Sequence, residues 1–322
     1  MYCPHKSERP RIPTVSHLMS QRYRKTSDRW GAKLTFAGVE YRLLSPQWKG
    51  YELIDFGEGQ RLERWGKLIL QRPDGWAVGP PAKPIESWRP QHRFLLEGAY
   101  QGRWEPPLPE AWIMSYTSKK GWTLHLEVRP TRYKHLGLFP EQAVHWEWLY
   151  AVLHSEARVL NLFAYTGAAS IVAALAGAKV THVDASKPAL TWANRNAQLH
   201  HLSTIRWIHD DVRTFVQREK RRGHRYDLIL LDPPAYGLSP EGKRWVLEQD
   251  LPPLLSDLAT LLEKNGSFLL NTYSGDLSPA TLLRLIQEFF GPSEIEIGEL
   301  TLQTREGRRL STGYFLRGHR LG

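Results

Sequence analysis

From about Arg132 onward the chain alternates short apolar runs with helix-forming stretches, and no other feature limits its fold as strongly. "RVLNLF" reads as a strand, "TGAASIVAALAG" as a small-residue helix and "KVTHVDA" as a second strand. "SKPALTWANRNAQLHH" follows as a helix capped by Ser186, then come the strand "IRWIHDD", the helix "VRTFVQREKRR" and the strand "YDLILLD". A helical region from Gly242 to Leu262 leads into the strand "GSFLLNTYS", the helix "SPATLLRLIQEFF" and two closing strands, "EIEIGELTL" and "STGYFLRG". Strands joined through helices pair in parallel and are covered on both faces. The last two strands have no helix between them, which predicts one antiparallel strand. The expected fold class is α/β, doubly wound and mostly parallel.

The residues before this region have another texture. They are rich in Trp, Gly and Pro, and eight of the 13 tryptophans precede residue 125. "AWIMSY" and "WTLHLEV" flank "TSKKG" as a β-hairpin with Gly121 closing its turn. A small β domain with an aromatic core is expected, the alternative being a set of base-stacking platforms. The domain organisation read from the sequence is a basic tail over residues 1–30, a β-rich domain over 31–132 and the α/β domain over 133–322.

The net charge of +10 suits a polyanionic partner. The tail carries Lys6, Arg9, Arg11, Arg22, Arg24, Lys25 and Arg29 against Glu8 and Asp28; an RNA-gripping arm, a merely solubilising tail and a cleaved leader are all consistent with it. Cys3 is the only cysteine, so no intramolecular disulfide and no cysteine-held metal is expected, and a cytoplasmic setting is the simplest inference. No apolar stretch reaches the roughly 18 residues of a membrane span. The 13 histidines form no metal-spaced cluster, and no metal is expected.

The strand ends carry the chemistry. After the first strand, Ala164, Tyr165, Thr166 and Gly167 turn the chain into a small-residue helix, with one turn glycine rather than the three of a dinucleotide fold. Asp184 ends the second strand, followed by Ala185 and Ser186. Asp211 ends the third, followed by Val212, and Asp232 ends the fourth. Three successive strands thus deliver a carboxylate to the sheet edge where ligands bind. Asp232 runs directly into Pro233 and Pro234. Neither proline has an N–H to donate and each fixes its own φ, so the chain leaves the sheet as a stiff loop.

Residues from roughly Tyr133 to Ser274 resemble the class I S-adenosylmethionine-dependent methyltransferases. More narrowly, they resemble bacterial ribosomal large-subunit RNA methyltransferases that carry a small β domain ahead of the catalytic one. The matching pieces are "GLFPEQ", "VLNLFAYTG", "VDASKPALTWANRN", "DDVRTF" and "LDPPAY", in the expected order. The resemblance implies a seven-stranded sheet with S-adenosylmethionine as methyl donor. It implies that Ala164 to Gly167 wrap the methionine portion, Asp184 binds the ribose hydroxyls and Asp211 with Val212 reads the adenine. Glu141 and Gln142 would close over the methionine end. Asp232 and the Pro233 carbonyl, beside Pro234, would accept the hydrogens of an exocyclic base nitrogen while Tyr236 stacks on the ring.

Two departures qualify the resemblance. The aromatic residue is fifth in "DPPAY" rather than fourth, an offset that matches the ribosomal RNA group. Relatives that methylate cytosine C5 keep a cysteine in "S-C-S" after the fifth strand, and here the stretch is "TYSG" with Tyr273 in that place. Carbon methylation of that kind needs a nucleophile, so it is expected to be absent. Nitrogen methylation of a ribosomal RNA base is the leading expectation, with "REKRRGHR" as further basic surface. The alternatives are a protein or small-molecule N-methyltransferase, and a catalytically silent RNA-binding factor.

Overall fold

A computed structural model describes residues 34–36, 39–99, 101–274 and 277–321; the basic tail of residues 1–30, with Cys3, lies outside them. The strands before the α/β region are β1 (Leu34–Phe36), β2 (Val39–Leu44), β3 (Tyr51–Gly57), β4 (Gln60–Trp65), β5 (Leu68–Pro73), β6 (His92–Leu96), β7 (Gly102–Glu105), β8 (Trp112–Thr117) and β9 (Thr123–Val128). Then follow α1 (Ala143–Val152), β10 (Arg158–Leu162), α2 (Ala168–Leu175), β11 (Lys179–Asp184), α3 (Lys187–Gln198), β12 (Arg206–His209), α4 (Val212–Arg222) and β13 (Tyr226–Leu231). A short hairpin, β14 (Tyr236–Leu238) and β15 (Arg244–Val246), precedes α5 (Leu247–Leu261). The chain closes with β16 (Leu262–Thr272), α6 (Pro279–Phe290), β17 (Ser293–Gln303) and β18 (Arg309–Arg320).

Alternation along the central strands builds the layers. Val159, Leu228, Leu230 and Leu269 face one core with Trp146, Ile171 and Ala197 of α1, α2 and α3. Leu160, Leu162, Ile229, Leu231 and Leu270 face the other, with Phe215, Leu254 and Ile286 of α4, α5 and α6. Successive side chains of a strand point to opposite faces, so a continuous apolar run is what a sheet covered on both sides requires. The sheet order is β1-β2-β17-β18-β16-β13-β10-β11-β12. The strands from β17 to β12 are the expected seven. Within them β18 is antiparallel to its neighbours β16 and β17.

The sheet is two strands wider than seven because β2 adds in parallel to β17 and β1 pairs antiparallel with β2. Gly298 is register partner to Arg42, and a Cβ there would meet the Arg42 carbonyl oxygen at 1.8 Å. Only a residue without a side chain lets the two backbones approach this closely. Gly298→Val is therefore expected to part β2 from β17 at a cost of about 1–3 kcal/mol, read as a lower urea midpoint.

The remaining early strands form a five-stranded sheet in the order β3-β4-β5-β6-β7 and the hairpin β8-β9. Gly121 sits in the hairpin turn at φ 88°. The described tryptophans of this region fill its interior. Trp48, Trp65, Trp88 and Trp104 are buried, and Trp76, Trp112 and Trp122 pack against the core. Trp48 meets Tyr116 and Trp146 edge-on, so the aromatic cluster continues into α1. Glu127 of β9 is tied to α3, its N–H donating to Asn196 Oδ1 and its carbonyl accepting from Trp192 Nε1. These contacts seat β9 on the α3 side of the sheet and leave the C-terminal strand edge open.

Candidate active site

The loop between β10 and α2 holds three left-handed residues in five: Phe163 at φ 56°, Tyr165 at φ 49° and Gly167 at φ 87°. For Phe and Tyr this conformation is uncommon and persists only where neighbours fix it. Here the Tyr165 N–H donates to Asp184 Oδ2 at 2.8 Å, the Thr166 hydroxyl to the Gly137 carbonyl at 2.6 Å, and Asn196 Nδ2 to the Thr166 carbonyl at 2.9 Å. A Cβ at Gly167 would lie 3.0 Å from that of Ala193. The turn is thus pressed onto α3, and its open backbone faces the start of α2.

Asp184 ends β11 with both oxygens engaged, Oδ2 by Tyr165 and Oδ1 by the Ser186 N–H at 2.8 Å. Burial lifts its carboxyl above the usual range, opposed by those two amides. Ser186 caps α3 through the Ala189 N–H. Asp211 caps α4, accepting from the Thr214 N–H at 3.0 Å and from Arg213 Nη2 at 3.1 Å. Burial would raise its pKa, but the bonds from Arg213 and Thr214 outweigh it and hold the group below its ordinary value.

Asp232 ends β13. Solvent reaches part of the residue, but Oδ1 is sealed and has no hydrogen-bond partner, while Gln142 Nε2 stands 3.5 Å from Oδ2. Burial, then the nearby charge of Glu141, push the carboxyl up to about 7, with Asn271 opposing. Gln142 donates to the Tyr273 hydroxyl at 2.6 Å and accepts from Asn271 Nδ2 at 3.3 Å. Beyond the two prolines, the Pro234 carbonyl accepts from Trp245 Nε1 at 2.7 Å, which pins β15 against the loop.

Two hollows that share lining residues lie along this edge. The inner one, of about 70 Å³, is lined by Gln142, Ala164, Tyr165, Thr166, Gly167 and Asp232 among others. The outer one, of about 470 Å³, lies within the range of small-ligand sites. Asp184, Ala185, Ser186, Asp211, Val212, Asp232, Pro233 and Pro234 border it. Phe139, Phe163, Tyr165 and Asp232 line both, so Asp232 is the one carboxylate they share.

Of the remaining expected positions, Glu141 is buried behind Gln142 and borders neither hollow, and its Oε2 is unpartnered. Tyr236 also lies outside both and is 67% exposed. The basic segment "REKRRGHR" occupies the end of α4 that points away from this edge. There Arg222 pairs with Glu219 at 2.9 Å, while Arg218 and Lys220 pair with Asp210 and Asp257. Phe139, His135, Trp245 and Asn271 line the hollows without having been singled out. Asn271 lies near the C-terminal end of β16, beside β13, and the strand-end reasoning that found the three aspartates would have found it. Among the described residues no cluster of His, Cys, Asp or Glu could hold a metal ion, and no helix is long and apolar enough to cross a membrane.

Comparison with known proteins gives three findings. A family model for S-adenosylmethionine-dependent methyltransferases matches residues 89–289. The crystal structure of a SAM-dependent methyltransferase from Agrobacterium tumefaciens is 38% identical, covering 86% of this chain and 92% of that one with a TM-score of 0.79. A protein of Alteromonas mediterranea named ribosomal RNA large subunit methyltransferase K/L is 39% identical over 114 residues, and its counterpart in Hahella chejuensis is 37% identical over 147. Those matches take in 34% and 44% of this chain but only 16% and 18% of the relatives' own length.

Proposed function

The chain belongs to the S-adenosylmethionine-dependent methyltransferase family, and from that premise we propose that it methylates a base nitrogen in ribosomal RNA. The observation that carries the reading is the Asp232 carboxyl, held on a two-proline turn, shared by both hollows and left with a sealed, unpartnered oxygen. An amino group in the outer hollow, which Asp232 borders, would offer the carboxyl a donor. A buried acceptor without a partner costs free energy until a ligand supplies one.

The residues also fit the cofactor. The inner hollow around Ala164 to Gly167 suits its methionyl end, with Gln142 alongside and Glu141 behind. The Asp184 carboxylate stands where ribose hydroxyls would reach it, and Val212 with Phe163 offers apolar cover to an adenine beside Asp211. The Asp232 carboxylate, the one acid both hollows share, would give the region the negative potential that a cationic sulfonium needs. When bound, S-adenosylmethionine supplies an activated methyl group on that sulfur. Asp232 and the Pro233 carbonyl would fix the two amino hydrogens, so that the nitrogen lone pair points toward the methyl position. With a pKa near 7, Asp232 is also suited to receive the proton the nitrogen must give up.

Two relatives named for ribosomal RNA support the substrate class, as does the excess of basic residues. In this reading the β-rich part to residue 132 flanks the substrate side, the part from 133 to 322 holds the cofactor, and a cytoplasmic place of work goes with the substrate.

The test is transfer of labelled methyl groups to RNA from a strain lacking the gene. Label in RNA, lost on RNase treatment and found in an N-methylated base, is expected. Label confined to protein or small molecules would overturn the substrate class. No labelled 5-methylcytosine is expected in the digest, since Tyr273 stands where that chemistry needs a thiol; its detection would refute the nitrogen assignment.

A further inference from the structure

The mouth of the outer hollow carries a surface that the chemistry proposed above does not use. The hairpin β14-β15 has two unlike faces, because residues two apart in a strand share a side and directly paired residues share it too. Gly237 and Trp245 are paired and face inward. Trp245 is buried, its ring lies 4.8 Å from that of Phe163, and it is bonded to the Pro234 carbonyl. Tyr236, Leu238 and Arg244 lie on the opposite, exposed face, Arg244 being paired with Leu238, which also borders the outer hollow. Tyr236 is 67% and Leu238 69% exposed, among the most exposed large apolar residues described. A folded protein has no packing reason to display two such side chains together on an anchored hairpin.

Cations accompany them. Lys243 and Arg244 are exposed and take part in no ion pair among the described residues. The acid of the hairpin turn, Glu241, is bonded to the Ser239 hydroxyl. On the loop after β9, Tyr133 borders the same hollow at 48% exposure, and its neighbour Arg132 is likewise exposed and unpaired among the described residues. Most cations on α4 are by contrast neutralised by acids. Exposed rings interleaved with free cations around a concave site are what an unpaired nucleic-acid strand recognises. Rings stack on bases of any sequence, and cations meet phosphates.

Resting on the RNA reading, we propose that the outward face of the hairpin, with Tyr133 and Arg132, is the docking surface for a single-stranded stretch of the substrate RNA. Tyr236 and Tyr133 stack on nucleotides flanking the one whose base enters the hollow, and Lys243, Arg244 and Arg132 lie along the phosphates. A duplex cannot offer its bases to the rings, nor send one back to Asp232 without unpairing it. Tyr236 on this account holds the strand and does not clamp the reacting base.

The test is binding of a fluorescein-labelled RNA of about 16 nucleotides, single-stranded or annealed to its complement, to the full chain with saturating S-adenosylhomocysteine. The single strand is expected to bind more tightly than the duplex. Tyr236→Ala is expected to weaken it by about tenfold, raising KM for RNA while kcat at saturating RNA and cofactor affinity hold. Lys243→Ala with Arg244→Ala is expected to flatten the salt dependence by a log–log slope of about 1.4. Equal affinity for duplex would overturn the proposal. So would a Tyr236→Ala protein that binds RNA normally but turns over slowly, which would put the ring at the reacting base. Should the wild-type protein transfer methyl groups only to protein or small molecules, the substrate reading itself falls and takes this surface with it.

Discussion

Asp232→Asn is expected to cut methyl transfer by about 10²- to 10⁴-fold, the usual share of a positioned proton acceptor, and at the same time to make the cofactor-free protein more stable. Both follow from one enclosed carboxyl. The amide keeps the shape but cannot take a proton, and its NH₂ faces the substrate's own hydrogens. In the proposed mechanism the ionised form accepts the proton, so kcat/KM of the wild-type enzyme is expected to fall as pH drops through about 7. Binding the cationic cofactor next to the group is expected to move that midpoint of kcat downward.

The stability effect has a definite sign. The folded pKa of about 7 lies above the ordinary 3.8, so across that window the native state keeps a proton that the unfolded chain releases. Native stability is thus lost as pH rises from about 4 to about 7, at up to about 1.4 kcal/mol per pH unit, and the penalty is fully developed above that. Asn does not titrate. The advantage of Asp232→Asn in melting temperature is therefore expected to be small at pH 4 and largest above pH 7. An inactive variant that melts below wild type at pH 8 would show instead that Asp232 holds the fold together.

What could be read from the chain follows how local each signal is. β13 announces itself through the apolar run "LILL", and Asp184, Asp211 and Asp232 are legible because the stretches "KVTHVD", "IRWIHDD" and "YDLILLD" each stop on an acid. The edge strand β2 is different. Its partner β17 is more than two hundred residues downstream, and nothing in "VEYRLL" distinguishes a strand of the large sheet from one of the small β region. The close approach at Gly298 decides the matter, and it exists only in three dimensions. The hairpin β14-β15 is hidden in the sequence for a related reason. The sequence reads as helix from Gly242, yet the helix begins at Leu247, because Trp245 turns inward to Phe163 and the Pro234 carbonyl and draws Arg244–Val246 into a strand. That inward turn also sends Tyr236 outward, so its spacing from Asp232 did not foretell where its ring would lie. Asp211 shows a third limit. Its place at a strand end was legible, but its commitment to Thr214 and Arg213 was not.

Asp184→Ala is expected to weaken cofactor binding by about 100-fold or more, with a smaller loss of kcat at saturating cofactor. In the proposed arrangement, ribose contacts would account for only part of this. The same carboxylate takes the N–H groups of Tyr165 and Ser186 at 2.8 Å each, and so holds Tyr165 in its left-handed conformation, as well as the residue that caps α3. Removing it strips a partner from two backbone donors, each worth about 1–3 kcal/mol when buried and unsatisfied. The loop from Phe163 to Gly167 then has less to offset its strain. Two losses combine, one in the ribose site and one in the shape of the methionyl site. Asp184→Asn separates them, since it keeps one acceptor oxygen for the loop and gives up the charge. It is expected to bind cofactor more tightly than Asp184→Ala and less tightly than wild type. Calorimetric titration with S-adenosylhomocysteine measures the difference, and near-identical affinities for the two variants would mean that the carboxylate serves the ribose alone and the loop needs no support from it.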